Sequence, residues 1–238
     1  MSLDKVSNLE WIVPYNYLPE QFNNRKDIFD EWEELARSCE FTLGPKVAEF
    51  EKNFATFVGA EFCIATNNGT DALILALKAL GIKSGDEVIT VPNSFYATTG
   101  AIVACGATPV FIDVDPLTWN LSADTLHSAI TPRTRALLAV HVYGLPIDLD
   151  PVIALCDKHQ VVIIEDAAES HTVTYNGKLC GSFGMASTFS FYANKAITTG
   201  EGGMIVTDDA NFAQRLRGLR NLAFLPAPGP RFVHEEIG

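Results

Sequence analysis

The chain is short of positive charge. Its 17 lysines and arginines stand against 29 aspartates and glutamates, which leaves a formal net charge of −12 and a pI of about 4.8. So acidic a balance argues against non-specific binding to nucleic acid or to an anionic membrane, although backbone amides can still hold a phosphate locally. Long apolar runs are missing as well. None approaches the roughly 18 residues that a membrane-spanning helix needs, and no signal-peptide pattern is visible, so neither membrane insertion nor export is expected. Paired cysteines are also absent. Cys39, Cys63, Cys105, Cys156 and Cys180 are odd in number, scattered and free of any C-x-x-C spacing. They read as reduced, mostly buried thiols of a cytoplasmic protein. The histidines have no metal-ligand spacing with them, and no metal site is expected. There is no internal repeat, low-complexity tract or linker.

What remains is an apolar chain of 238 residues, 47% hydrophobic and only 19% charged, long enough to bury a full core. Val47, Phe50, Phe54 and Phe57 recur at steps of three and four, so Pro45 to Val58 is predicted as an amphipathic helix with proline in its first turn. Strand-like and helix-like segments then alternate. Phe62 to Thr66, Glu87 to Val91, Val110 to Ile112, Ala136 to Val142, Val161 to Ile164, Ala186 to Phe191 and Met204 to Thr207 read as strands. Asp71 to Leu80 (closed by Gly81), Tyr96 to Cys105 (closed by Gly106), Ala123 to Ile130 (capped by Ser122), Pro151 to His159 and Asp209 to Leu222 read as helices. Leu225 to Arg231, with its prolines, reads as an irregular loop. Continuously apolar strands separated by helices predict an α/β fold: a mostly parallel central sheet with helices on both faces. Such sheets bind ligands at the carboxyl ends of their strands.

The chemistry-bearing residues fall at those ends. An apolar segment delivers Lys195, in Ser190-Phe191-Tyr192-Ala193-Asn194-Lys195, to the glycine-rich turn Thr199-Gly200-Glu201-Gly202-Gly203. A lysine amine becomes nucleophilic where desolvation or nearby positive charge disfavours its ammonium form. Val161 to Ile164 leads straight into Glu165-Asp166. A carboxylate at the end of a buried strand must be paired, or its proton affinity rises. A Schiff-base lysine together with a carboxylate for a pyridinium nitrogen is what pyridoxal phosphate requires. Asn67-Asn68-Gly69-Thr70-Asp71 offers a phosphate a close backbone approach at Gly69, the N-terminus of a helix and the Thr70 hydroxyl. The same segment also reads as an ordinary capped helix start. Ser94-Phe95-Tyr96-Ala97-Thr98 follows a strand and carries an aromatic side chain that can stack on a flat ring. Spacing leaves open whether Phe95 or Tyr96 faces the site, or whether the ring is core. Glu169 and His171 lie just beyond Asp166 as cofactor, substrate or structural contacts. Ser190 offers a second phosphate hydroxyl, or is simply a strand serine satisfied by backbone.

These stretches resemble the DegT/DnrJ/EryC1/StrS family of sugar aminotransferases, of the aspartate-aminotransferase fold type. The matching segments are Gly44-Pro45 with its helix, Asn68-Gly69-Thr70-Asp71-Ala72-Leu73, Phe111-Ile112-Asp113-Val114-Asp115, Glu165-Asp166-Ala167-Ala168-Glu169 and Ser190 to Gly203. The likeness runs through the chain from about Gly44. It implies that Lys195 carries the Schiff base and moves the proton, that Asp166 contacts the pyridine nitrogen, and that Phe95 stacks on the ring. Gly69, Thr70 and Ser190 would hold the phosphate. Glu169 stands near the phenolic oxygen where the family often has glutamine. A dehydratase branch replaces the lysine with histidine, and Lys195 argues against that branch. The implied reaction moves an amino group from glutamate to a nucleotide-linked keto sugar, and the version of residues 194–203 is similar to members that aminate C4 of 4-keto-6-deoxy sugars. The family also implies a homodimer with shared sites and a small C-terminal domain. This chain is therefore expected to comprise an N-terminal segment over 1–25 and the cofactor-binding large domain over 26–238, without the small domain, and to be inactive or weakly active alone.

Two rival classes stand beside that reading. Asp113-Val114-Asp115 after an apolar strand mimics the D-x-D metal site of a nucleotide-sugar glycosyltransferase, but leaves Lys195 and Asp166 unexplained. A non-catalytic pyridoxal-phosphate-binding regulator would keep the fold, and the retained lysine and acid weigh against it. A dinucleotide oxidoreductase is weaker still, because G-x-G-x-x-G is absent and Gly200-Glu201-Gly202-Gly203 leads into a strand.

Overall fold

The computed structural model describes Glu20 and residues 22–222; the loop expected over Leu225 to Arg231 lies outside the described residues. By its internal contacts the chain divides into two units, residues 1–42 and 43–238. The first unit contains helix α1 (Lys26–Ser38), which was not among the expected elements although Ile28, Phe29, Trp32 and Leu35 recur at helical steps, and which buries none of its residues. It carries i,i+4 ion pairs, Lys26–Asp30 and Glu33–Arg37, and ends on Cys39 in the left-handed region.

The second unit is the expected α/β body. Its elements are α2 (Pro45–Val58), β1 (Phe62–Thr66), α3 (Gly69–Leu80), β2 (Glu87–Thr90), α4 (Tyr96–Ala104), β3 (Thr108–Phe111), α5 (Ala123–His127), β4 (Thr134–Val140), α6 (Leu149–His159), β5 (Val162–Asp166), β6 (Thr174–Tyr175), β7 (Lys178–Leu179), β8 (Ala186–Ser190), β9 (Gly203–Thr207) and α7 (Ala210–Arg220). Local chemistry sets several of these ends. Ser122 caps α5 in a reciprocal capping box with Thr125, and α3 stops at Gly81 in the left-handed region.

Seven strands form one sheet in the order β1-β9-β8-β5-β4-β2-β3. The β2–β3, β2–β4, β4–β5 and β5–β8 pairs are parallel, whereas β9 runs antiparallel to both β8 and β1. The two-residue alternation of strand side chains explains why both faces carry helices. On one face Ile64, Val88, Ala136, Leu138, Ile164 and Ile205 pack with α3, α4 and α7. On the other, Ile89, Leu137, Ala139 and Ile163 pack with α5 and α6, while Cys63, Phe189, Met204 and Val206 pack with Phe54, Ala55 and Val58 of α2. Three of the five cysteines, Cys63, Cys156 and Cys180, are buried, and burial pushes the Cys63 thiol up to about 12. No described helix is long and apolar enough to cross a membrane.

Candidate active site

The carboxyl ends of β1, β2, β4, β5 and β8 open on one cavity of about 740 Å³. Gly69, Thr70, Phe95, Asp166, Glu169, Ser190 and Lys195 all line it, so the fold gathers the seven residues to which the resemblance gives a role, whereas His171 is not among the lining residues.

One wall is the start of α3. The Asn68 side chain accepts the Asp71 N–H at 2.7 Å, and Ala72 N–H bonds to the Asn68 carbonyl. The segment is therefore the capped helix start that the sequence allowed. The N–H groups of Gly69 and Thr70, first in the helix, have no intrahelical partner by geometry, and the positive dipole end adds to them. Opposite stands Ser190 at the end of β8. A Cβ on residue 69 would lie 2.9 Å from the Ser190 Cβ and 3.2 Å from its Oγ, so only glycine permits this approach. Backbone amides and hydroxyls at a helix N-terminus are the donor set for a phosphate. His171 fixes the far side of Ser190. Its ring lies 5.6 Å and 5.5 Å from those of Phe189 and Phe191, and its Nε2 donates to the Ser190 carbonyl at 2.8 Å. Burial lowers its pKa against the pull of that carbonyl, so the ring is neutral.

Asp166 ends β5 almost wholly buried. Its Oδ2 accepts the Thr98 hydroxyl at 2.8 Å and its Oδ1 the Ala168 N–H at 3.3 Å. Burial raises the pKa despite those donors and the charge of Lys195. A carboxyl in this state suits a partner that shares its proton, and a pyridine nitrogen is one. The neighbouring Glu165 points the opposite way and is satisfied. It accepts from His141 Nε2 at 3.0 Å, from the N–H groups of Gly181, Phe183 and Gly184, and from the Ser187 hydroxyl. Burial would push this carboxyl up, but the His141 hydrogen bond and the backbone donors outweigh it and hold it below the usual range. Because His141 Nδ1 accepts the Ile147 N–H at 3.2 Å, its proton sits on Nε2.

Lys195 Nζ donates to Glu169 Oε1 at 3.1 Å, and Glu169 Oε2 accepts the Tyr143 N–H at 3.1 Å. Phe95 is 80% exposed and lines the cavity, which excludes core packing as its role. Tyr96 is not among the lining residues; its ring lies against Gly100 of α4. Sequence reasoning missed Thr98, His141 and Tyr143. A polar residue directly after the apolar β4 was the available signal for His141. Asp113 and Asp115 of the D-x-D segment lie apart from the cavity. Asp115 Oδ1 caps the N–H groups of Leu117 and Thr118, and Asp113 Oδ1 accepts the Val114 N–H. The described residues contain no group of three or more His, Cys, Asp or Glu able to hold a metal ion.

Fold and cavity together define an α/β domain with a lysine, a buried aspartate and a helix N-terminus at the carboxyl edge of its sheet. The DegT/DnrJ/EryC1/StrS aminotransferase family model matches residues 23–238, and the chain belongs to that family. It is 49% identical over 185 residues to the GDP-perosamine synthase of Caulobacter vibrioides, covering 78% of this chain and 50% of that protein. A DegT DnrJ EryC1 StrS aminotransferase from Brucella abortus superposes with a TM-score of 0.89 at 31% identity, over 95% of this chain and 62% of that one. NtdA from Bacillus subtilis, solved with its bound cofactor PMP, superposes with a TM-score of 0.81 at 34% identity, over 89% and 49%. Other relatives are named as aminotransferases of UDP- and dTDP-linked sugars, and one solved relative as a GDP-4-keto-6-deoxy-D-mannose-3-dehydratase with bound hydrated PLP. The chain spans about half the length of the curated relatives it matches.

Proposed function

We propose that the α/β unit binds pyridoxal phosphate and serves a sugar aminotransferase that moves an amino group from glutamate to a nucleotide-linked keto sugar. The observation that carries this reading is the meeting of Lys195, Asp166 and the Gly69–Ser190 approach on one cavity. When bound, the cofactor supplies a carbonyl that takes up an amino group and a ring that withdraws electrons from the reacting carbon. The chain's own residues do the rest. The N–H groups at Gly69 and Thr70, with the hydroxyls of Thr70 and Ser190, bind the phosphate. Asp166 orients the ring and holds the proton on its nitrogen, and Phe95 packs on the ring face. Lys195 forms the covalent link and moves a proton at Nζ, with Glu169 fixing the rest position of that amine.

The finer assignments rest on likeness alone. Residues 194–203 support amination at C4 of a 4-keto-6-deoxy sugar, the lysine at 195 weighs against the dehydratase branch, and the family supports a homodimer with shared sites. A glycosyltransferase reading is weakened by the D-x-D carboxylates, which already cap turns.

The test is direct. Purified protein given pyridoxal phosphate should develop a visible absorbance band, and borohydride should fix the cofactor to Lys195 and not to a Lys195→Ala variant. Protein that stays colourless would end the proposal. Assay with glutamate and a panel of GDP-, UDP- and dTDP-linked keto sugars then identifies the acceptor.

A further inference from the structure

The segment Ser94 to Thr98 does more than present an aromatic ring. Thr98 lies in the first turn of α4, on the same inward face as Ala101 and Ile102, and all three are essentially inaccessible to solvent. Its hydroxyl is 2.8 Å from Asp166 Oδ2 and 2.6 Å from the Ser94 hydroxyl. A threonine hydroxyl carries one proton. That proton is committed to the carboxylate, so Ser94 must donate to Thr98. The result is a two-hydroxyl chain, Ser94 to Thr98 to Asp166, running from a half-buried residue of the cavity wall to a buried carboxylate. Hydrogen bonds in series polarise one another, and the low dielectric around them strengthens the effect. The Ala168 N–H holds the other oxygen. With one protein donor on each oxygen, the plane of the carboxylate is fixed and each oxygen keeps a lone pair for a further donor.

We infer that Thr98 is the positioning residue of this site: through its hydroxyl, ordered by Ser94, it keeps Asp166 ionised and aimed so that a ring nitrogen opposite stays protonated. The inference rests on the cofactor reading proposed above. A hydroxyl donating to the carboxylate stabilises its anionic form, and the anionic form stabilises a pyridinium. Without that donor the shared proton moves from nitrogen toward oxygen. The ring would then lose its positive charge and with it much of its capacity to withdraw electrons.

The experiment uses the 238-residue chain loaded with pyridoxal phosphate labelled with 15N in the ring. The 15N chemical shift reports protonation of that nitrogen, and an absorbance titration reports the dissociation constant. Thr98→Val keeps shape and burial but removes the hydroxyl. We expect its 15N signal to move toward that of a neutral pyridine and its dissociation constant to rise about tenfold or more, the usual size for a lost hydrogen bond to a charged group. Thr98→Ser restores the hydroxyl and should restore most of both readouts, which a purely packing role would not. Ser94→Ala should give a partial shift in the same direction. If the wild-type chain takes up no cofactor, the functional reading falls and this inference with it. If the wild type binds but Thr98→Val shows wild-type affinity and an unmoved 15N signal, the inference alone is overturned. Should circular dichroism show Thr98→Val to be misfolded, Ser94→Ala decides, and an unchanged signal and affinity there would overturn it equally.

Discussion

Lys195 and Glu169 form an ion pair of 3.1 Å at the cavity wall, and Glu169 uses its second oxygen to hold the Tyr143 backbone. One carboxylate therefore ties the lysine loop to the turn after β4. Glu169→Gln can accept only one of these two donors, because its amide nitrogen cannot accept. The Glu169 side chain is 43% exposed, so the loss should stay below about 1 kcal/mol. We expect a small drop in melting temperature with cofactor uptake retained. A collapse of stability in thermal denaturation would contradict the partial exposure of the pair.

Gly69→Ala should act differently. The added methyl would meet Ser190 at 2.9 Å on Cβ, which forces α3 and β8 apart where a phosphate would sit. Overpacking of this kind costs about 1–3 kcal/mol. Pyridoxal phosphate affinity should fall in parallel, measured by absorbance titration. Unchanged affinity would place the phosphate elsewhere.

Asp166→Asn separates stability from binding. Burial raises the Asp166 pKa above its ordinary 3.8. Between 3.8 and the raised value the folded chain holds a proton that the unfolded chain has released. Stability therefore declines as pH rises through that window, and the loss is complete above it. The amide does not titrate, so without cofactor Asp166→Asn should be at least as stable as wild type at neutral pH, with the gain vanishing below 3.8. Cofactor affinity should nonetheless drop, since an amide cannot stabilise a pyridinium. Urea melts across pH check the first point; a less stable variant at pH 7 would contradict it.

His171 has the opposite sign. Its pKa is lowered from 6.5 by burial, so the unfolded chain gains a proton that the folded chain refuses. Its stabilising share is full above about 6.5 and is lost as pH falls through the folded value. Melting temperature should decline on that acid side, and His171→Gln should flatten the slope. Equal slopes in both proteins would assign the decline to other groups.

Much of the fold was legible because its signals are local and mutually consistent. The apolar run Phe62–Thr66, the glycine after it and the cap at Asn68 each point to a strand turning into a helix. The lysine and aspartate stood out because apolar strands lead into them. Other features left weaker marks. Helix α1 is the exception: Ile28, Phe29, Trp32 and Leu35 recur at helical steps and make a stripe that could have been read, although none of its residues is buried. The β6–β7 hairpin has two-residue strands, too short for periodicity, although Asn176-Gly177, both with positive φ, is the turn pair that such hairpins favour. The reversal of β9 was invisible, since a buried strand has the same composition in either direction. Thr98 left no mark because its hydroxyl meets a carboxylate 68 positions further along the chain only once the chain has folded.

That reversed strand has a consequence for how Lys195 is carried. Ser190 and Gly203 pair across β8 and β9, and Phe191 bonds to Gly202 and Thr199 just beyond them. The segment bearing Lys195 thus leaves and re-enters the sheet at neighbouring moorings, as a bight of rope made fast at both ends. Its reach is set by its own length rather than by a helix crossing the sheet. Adding or removing a residue within it would carry the amine nearer or farther while the Ser190 anchor stayed where it is.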